Sequence, residues 1–257
     1  ITVRNSGFSL NNQDSDWMGV VKYQNQGMFA GNGNWSNLLA CPIEANKQMI
    51  VQDSTFQNLN GVGLWCDMGC HSFIARRNVI RDNQWSGIMY EISGGGTNIF
   101  ENNTLACNRR GTRYVNGGWG GGEFFIANAF GMTIRNNDIT VCDGGRAFSF
   151  VFENWRTVPT RDITVENNVV RMQANPAYAG GSDPQRNVIT VTYLENGNNG
   201  RNIAFRGNRY FVNDVNADYF HWASRNNWTR WQPLVQDTGT LQSLTGAPAP
   251  QPQPTQP

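Results

Sequence analysis

The sequence predicts an all-β solenoid, a parallel β-helix of about eight turns, and three observations carry that prediction. The first is an excess of turn chemistry: 28 Gly and 34 Asn in 257 residues, with only 15% charged residues. Both types tolerate the left-handed backbone region, and Asn bonds its own neighbouring backbone, so short strands between frequent corners follow. The second is that windows rich in Ala, Leu, Glu and Lys are missing, which excludes a helical protein. The third is an internal repeat.

One phrase recurs: apolar, any, polar, Asn or Ser, any, apolar. It reads Val3 to Phe8, Val51 to Phe56, Ala75 to Ile80, Phe100 to Leu105, Ile134 to Ile139, Val165 to Val170 and Phe205 to Tyr210. Its fourth position falls at Ser6, Ser54, Asn78, Asn103, Asn137, Asn168 and Asn208, so the intervals are 48, 24, 25, 34, 31 and 40. A coil of about 24 residues with three short strands and Asn-rich corners is the signature of a parallel β-helix. Stacked Asn side chains of successive turns then bond each other along the axis. The first interval, twice 24, implies a degenerate turn between residues 16 and 47. The later ones imply turns of ordinary size carrying insertions.

Beyond residue 212 the phrase fades. The helix domain is expected to run over residues 1–246, with a capping segment from about 213 in which the aromatic-rich stretch from Asp218 to Trp231 covers the open end. From Ala247 to Pro257 the sequence APAPQPQPTQP cannot build a ladder. It reads as an extended linker or tail, suited to joining an additional module.

Twenty Lys and Arg stand against 19 Asp and Glu, a net charge of +1. That offers no electrostatic footprint for nucleic acid or an anionic membrane, and no run of 18 apolar residues is present to span a bilayer. The five cysteines are Cys41, Cys66, Cys70, Cys107 and Cys142. Cys66 and Cys70 lack a second pair at zinc-site spacing, so one or two disulfides or apolar filler are expected, with no metal and no cofactor.

Chemistry concentrates where acids fall in phase. Asp67 lies 13 residues after Ser54 and Glu91 lies 13 after Asn78, which makes them stacked neighbours on rungs ~4.8 Å apart. Leu64, Cys66 and Met68 match Ile88, Tyr90 and Ile92, an apolar set for the interior. Trp65 and Asp67 then face outward beside Met89 and Glu91. Two carboxylates so held repel, and their pKa values separate into an acid and a base. Carboxyl groups ~5–5.5 Å apart suit a retaining glycosidase, and wider spacing an inverting one. The chain after Cys107 is about ten residues over length and brings Arg113, Tyr114 and Trp119 in a Gly-rich run, a sugar-friendly wall beyond the Glu91 rung. Trp17, Asn34 and Trp35 form the opposite wall. The expected substrate contacts are Trp65, Tyr90, Arg113, Trp119 and Glu123, the last a third carboxylate.

The runs Gly63-Leu64-Trp65-Cys66-Asp67 and Gly87-Ile88-Met89-Tyr90-Glu91-Ile92-Ser93 resemble secreted bacterial right-handed β-helix proteins of the pectate-lyase-like group, which carry W-x-D and, one turn later, G-I-x-x-E-I-S. The pair is similar to that of retaining β-xylosidases built on a β-helix, although Gly94-Gly95-Gly96 follows here in place of their His-Gly-Pro. The resemblance implies a right-handed coil and secretion. It further implies a polysaccharide or oligosaccharide partner, with Asp67 as nucleophile and Glu91 as acid/base. Two other functions stay open. A lyase or epimerase would use Arg76, Arg81, Arg113, Tyr114 or His71 as base or to neutralise a uronate, with or without Ca²⁺. A non-catalytic glycan-binding or structural β-helix would use the scaffold alone.

Overall fold

The structure, a computed structural model, describes residues 2–9, 21–24, 48–59, 61–67, 70, 72–108, 121–142, 144–152, 159–176, 188–194, 202–222 and 224–250. Each coil contributes three strands. Coil one holds β1 (Thr2–Arg4), β2 (Gly7–Ser9) and β3 (Val21–Gln24). Coil two holds β4 (Met49–Gln52), β5 (Thr55–Gln57) and β6 (Leu64–Asp67). Coil three holds β7 (Phe73–Arg76), β8 (Val79–Arg81) and β9 (Ser86–Glu91). Coil four holds β10 (Gly94–Glu101), β11 (Thr104–Ala106) and β12 (Gly122–Ala127). Coil five holds β13 (Phe130–Arg135), β14 (Asp138–Val141) and β15 (Arg146–Phe152). Coil six holds β16 (Arg161–Glu166), β17 (Val169–Met172) and β18 (Val188–Leu194). Coil seven holds β19 (Ile203–Arg206), β20 (Arg209–Val212) and β21 (Phe220–Trp222). The first strands of successive coils pair in parallel as sheet A, the second as sheet B and the third as sheet C.

The described residues thus form seven coils, and one expectation is corrected. β1 pairs directly with β4, β2 with β5 and β3 with β6, so the 48-residue interval is one coil carrying an insertion. Interval arithmetic cannot separate an extra rung from an insertion between strands of the same rung. The direct bond from the Ser6 N–H to Ser54 Oγ, 3.2 Å, settles which it is.

Alternation decides what goes inside. In sheet A, Val51, Ala75, Phe100, Ile134, Val165 and Phe205 make one buried column. The next residue of each strand (Gln52, Arg76, Glu101, Arg135, Glu166, Arg206) makes an outer polar column. Cross-rung pairs there are side-chain bonds such as Arg135 Nε to Glu101 Oε2, 2.9 Å. Inside, Phe73, Tyr90, Phe100, Phe124 and Phe148 pass ring contacts along the axis at centroid distances of 5.6–6.4 Å.

The Asn excess has a specific cause. At the corner from sheet A to sheet B, Asn5, Asp53, Arg77, Asn102, Asn136, Asn167 and Gly207 take the left-handed conformation, with φ of 51–60°. The next residue's N–H turns off the strand direction and needs an acceptor. The side chain of the same position one coil on supplies it: Asn78 N–H and Nδ2 both donate to Asn103 Oδ1 at 3.0 Å. Asn103 Nδ2 in turn reaches back to the Ala75 carbonyl, 3.0 Å. The same bonds run from Ser54 through Asn78, Asn103, Asn137 and Asn168 to Asn208. These are the repeat anchors read from the sequence, all buried.

At the far end β22 (Ser224–Asn226) turns back antiparallel on β21, and α1 (Trp228–Val235) starts at Asn227, whose side chain accepts the Arg230 N–H. Trp231 is fully buried, stacked on Phe220 at 4.7 Å and edge-on to Phe205 at 4.9 Å. Asp237, buried beneath it, accepts from Tyr210 Oη and from the Gly239 N–H, both at 2.8 Å. Desolvation raises the pKa of both Asp237 and Tyr210. β23 (Thr240–Ser243) then adds an eighth strand to sheet B. The start of the Pro-rich segment is anchored: Arg171, ion-paired with Asp138, also donates through Nε to the Pro248 carbonyl at 2.9 Å.

Candidate functional site

The candidate site lies on sheet C, where β6 and β9 pair Leu64 with Ile88, Trp65 with Met89, Cys66 with Tyr90 and Asp67 with Glu91. The two acids are therefore direct partners on adjacent rungs, and on the next rung Ala127 of β12 follows Glu91. Leu64, Cys66, Ile88 and Tyr90 belong to the inner core. Trp65 and Met89 belong to a separate outer cluster with Val62, Trp85, Phe125, Ala127 and Val151.

At Trp65, Met89 and Glu91 that outer face is closed. Trp65 is 7% exposed, Met89 0% and Glu91 5%. Trp65 meets Trp85 edge-on at 6.0 Å, so its ring packs as part of a second apolar layer instead of lying bare for a sugar.

Most of the motif is explained by architecture. A Cβ on Gly63 would meet the Gly87 carbonyl oxygen at 2.7 Å and Asn83 Nδ2 at 3.0 Å. On Gly87 it would meet the Glu123 carbonyl oxygen at 2.7 Å and Asn108 Nδ2 at 2.9 Å. Both glycines make room for a second side-chain ladder at the corner from sheet B to sheet C. There the Leu59 N–H donates to Asn83 Oδ1, and Asn83 donates to Asn108 Oδ1. Ile88 fills the core. Ile92 forms the next corner at φ 45°, a strained conformation for a β-branched residue, one position from Glu91. Ser93 Oγ accepts the Cys70 N–H at 3.1 Å and donates to the Glu91 carbonyl. With Trp65 in the outer apolar layer, Asp67 and Glu91 are left over once the glycines, core residues and corner residues have been assigned.

Two expected substrate contacts are interior. Tyr90 is fully buried, stacked near Phe73, with Oη donating to the Cys70 carbonyl at 2.9 Å. It adjoins Glu91 in sequence, but strand alternation turns it the other way. Glu123, also fully buried, ends the second ladder: Oε1 accepts the Asn108 N–H at 3.0 Å and Oε2 accepts Asn108 Nδ2. Burial pushes its pKa well up, against the opposing pull of the Asn108 bonds. Phe124 pairs with Ile88, so Glu123 falls opposite Gly87 on the same coil as Asn108, and the insertion after Cys107 hides that phase in the sequence. Arg113, Trp119, Tyr114, His71, Trp17, Asn34 and Trp35 lie outside the described residues.

Two of the arginines that a lyase would use sit on other sheets. Arg76 Nε bonds Gln52 at 2.9 Å on sheet A, and Arg81 Nη2 bonds Gln57 at 2.8 Å on sheet B. Cysteines of the described residues form two disulfides, Cys66–Cys70 and Cys107–Cys142.

No curated protein and no solved structure matches the chain. A family does: the one described as right handed beta helix region matches residues 1–139. With more than half of the 257 residues matched and its coils paired in parallel, the chain belongs to the right-handed β-helix family.

Proposed function

We propose that this β-helix is a secreted glycoside hydrolase that cleaves a polysaccharide or oligosaccharide with two carboxylates, Asp67 as nucleophile and Glu91 as acid/base. The family is compatible with carbohydrate-active proteins. The observation that carries the reading is the direct register of Asp67 with Glu91. Backbones one strand spacing apart, ~4.8 Å, suit the ~5–5.5 Å carboxyl separation of a retaining displacement. Asp67 attacks the anomeric carbon while Glu91 gives its proton to the departing glycosidic oxygen, leaving a glycosyl ester on Asp67. Glu91 then takes a proton from water, whose oxygen displaces the ester with overall retention. Two disulfides support an oxidising, extracellular setting.

Release of reducing sugar from a panel of xylans, other glycans and aryl glycosides tests this. Asp67→Asn and Glu91→Gln are each expected to lower kcat by roughly 10²–10⁴-fold with the fold intact by circular dichroism. Turnover retained by both variants rejects the assignment.

The closed outer face favours a second reading, a structural or glycan-binding β-helix without turnover. Glycan binding that survives both substitutions, with no product from the wild type, is its expected result.

A further inference from the structure

Asp67 sits inside a covalent ring. The Cys66–Cys70 disulfide closes a loop of five residues that contains it, with Cα atoms of the two cysteines 6.0 Å apart and both residues fully buried. Cys70 is also tied to the segment that carries Glu91. Its N–H donates to Ser93 Oγ at 3.1 Å, and Ser93 Oγ donates onward to the Glu91 carbonyl. Its carbonyl accepts from Tyr90 Oη at 2.9 Å and from the Gly94 N–H at 3.0 Å. Tyr90 immediately precedes Glu91 and is the register partner of Cys66. The covalent ring around one acid is thus bonded to residues on both sides of the other.

A ring this short contributes little to global stability by constraining the unfolded chain, because that contribution grows with loop length. Cys107–Cys142, with a sequence separation of 35, has far more to give there. β6 is in any case already held by pairing with both β3 and β9. The ring instead restricts the backbone on either side of Asp67. Full burial of both cysteines makes it a permanent fixture, not a redox switch.

We propose that Cys66, Cys70, Tyr90 and Ser93 are positioning residues, a staple that fixes the backbone of Asp67 against that of Glu91. Its catalytic consequence rests on the hydrolase reading above; its mechanical consequence does not. The double variant Cys66→Ala/Cys70→Ala and the single variant Tyr90→Phe, which keeps the buried ring, test it. Amide hydrogen exchange is expected to accelerate at 66–70 and 91–93 and to stay slow along β12 and β15. Where turnover is present, kcat is expected to fall about 10²-fold with KM nearly constant, the effect of a small misplacement of reacting groups. Tm is expected to move by only a few °C.

Unchanged exchange at 66–70 and 91–93 overturns the staple whatever the activity shows. So does acceleration spread evenly over sheet C, or a loss of kcat that follows Tm across the variants. If the cysteine variant does not fold, Tyr90→Phe carries the same readouts. A wild type without turnover defeats the hydrolase reading and leaves exchange to decide the staple.

Discussion

The two side-chain ladders do the same job at two corners and end differently. At the corner between sheets A and B the ladder runs from Ser54 to Asn208 with Asn at every later rung, across intervals of 24, 25, 34, 31 and 40 residues. At the corner between sheets B and C it runs from Leu59 through Asn83 and Asn108 and stops at a carboxyl, Glu123. The long ladder tolerates insertions because each one leaves between strands and the corner itself is untouched. The short one ends where the insertion after Cys107 enters the corner. An Asn both accepts and donates, so it can hand the pattern to the next rung; Glu123 uses both carboxyl oxygens to accept from Asn108, and the pattern stops there. Uniform chemistry marks the scaffold, and the change of chemistry marks where the scaffold gives way to inserted chain.

The largest effect is expected from breaking the long ladder in its middle. Asn137 Oδ1 accepts the Asn103 N–H at 2.9 Å and Asn103 Nδ2 at 3.0 Å, and Asn137 Nδ2 donates to the Phe100 carbonyl at 2.9 Å. Asn137→Leu keeps the volume and strands the Asn103 N–H and the Phe100 carbonyl in a dry interior. At ~1–3 kcal/mol for each of the two buried unsatisfied groups, the loss is roughly 2–6 kcal/mol. Urea unfolding measures it, and the loss should not depend on pH between 5 and 8, since no titrating group takes part. A cost below about 1 kcal/mol would mean that water or a shifted corner replaces the amide.

Next comes the space that the short ladder needs. Gly87→Ala places a methyl 2.7 Å from the Glu123 carbonyl oxygen, a backbone atom that cannot swing away, and 3.0 Å from Leu105 Cδ2. Overpacking of this kind costs about 1–3 kcal/mol. Gly246→Ala, where nothing lies within 4 Å of the added carbon, is the control and should be near neutral. Equal melting temperatures for the two variants would show that the second corner is slack.

Much of this scaffold is legible in the sequence, and the reasons divide cleanly. The anchors are readable because one side chain must satisfy one backbone N–H on every coil, which fixes residue type at a fixed place. The outward parity of Trp65 and Met89 and the inward parity of Cys66 and Tyr90 follow from two-residue alternation alone. Alternation says by which side a residue leaves the strand, not whether that side is covered. The closure over Glu91, 5% exposed, therefore has no signal at this level. The pairing of Asp67 with Glu91 follows from counting 13 residues past two anchors one ordinary coil apart. Glu123, expected as a third carboxylate among the substrate contacts, is interior; its coil carries an insertion, and phase cannot be counted through it.

The smallest expected effect is the most specific to the difference between the ladders, and it lies in the pH dependence of Glu123→Gln. A single amide oxygen can accept both Asn108 donors, as Asn137 Oδ1 does for Asn103, so the substitution keeps the geometry and removes the titration. Burial raises the folded-state pKa of Glu123, which means the fold prefers the protonated acid. Below the unfolded carboxyl's ordinary pKa, about 4.3, both states hold the proton and no penalty applies. As pH rises from there toward the folded value, the unfolded chain ionises freely and the folded one does not, so the wild type loses stability and Gln does not. Glu123→Gln should therefore gain on the wild type between pH 4 and pH 8 in thermal melts, with a change in Tm smaller than that of Gly87→Ala. An advantage that is flat with pH, or that shrinks as pH rises, would mean that Asn108 and its neighbours hold the carboxyl ionised inside the coil. The second ladder would then end on a buried charge.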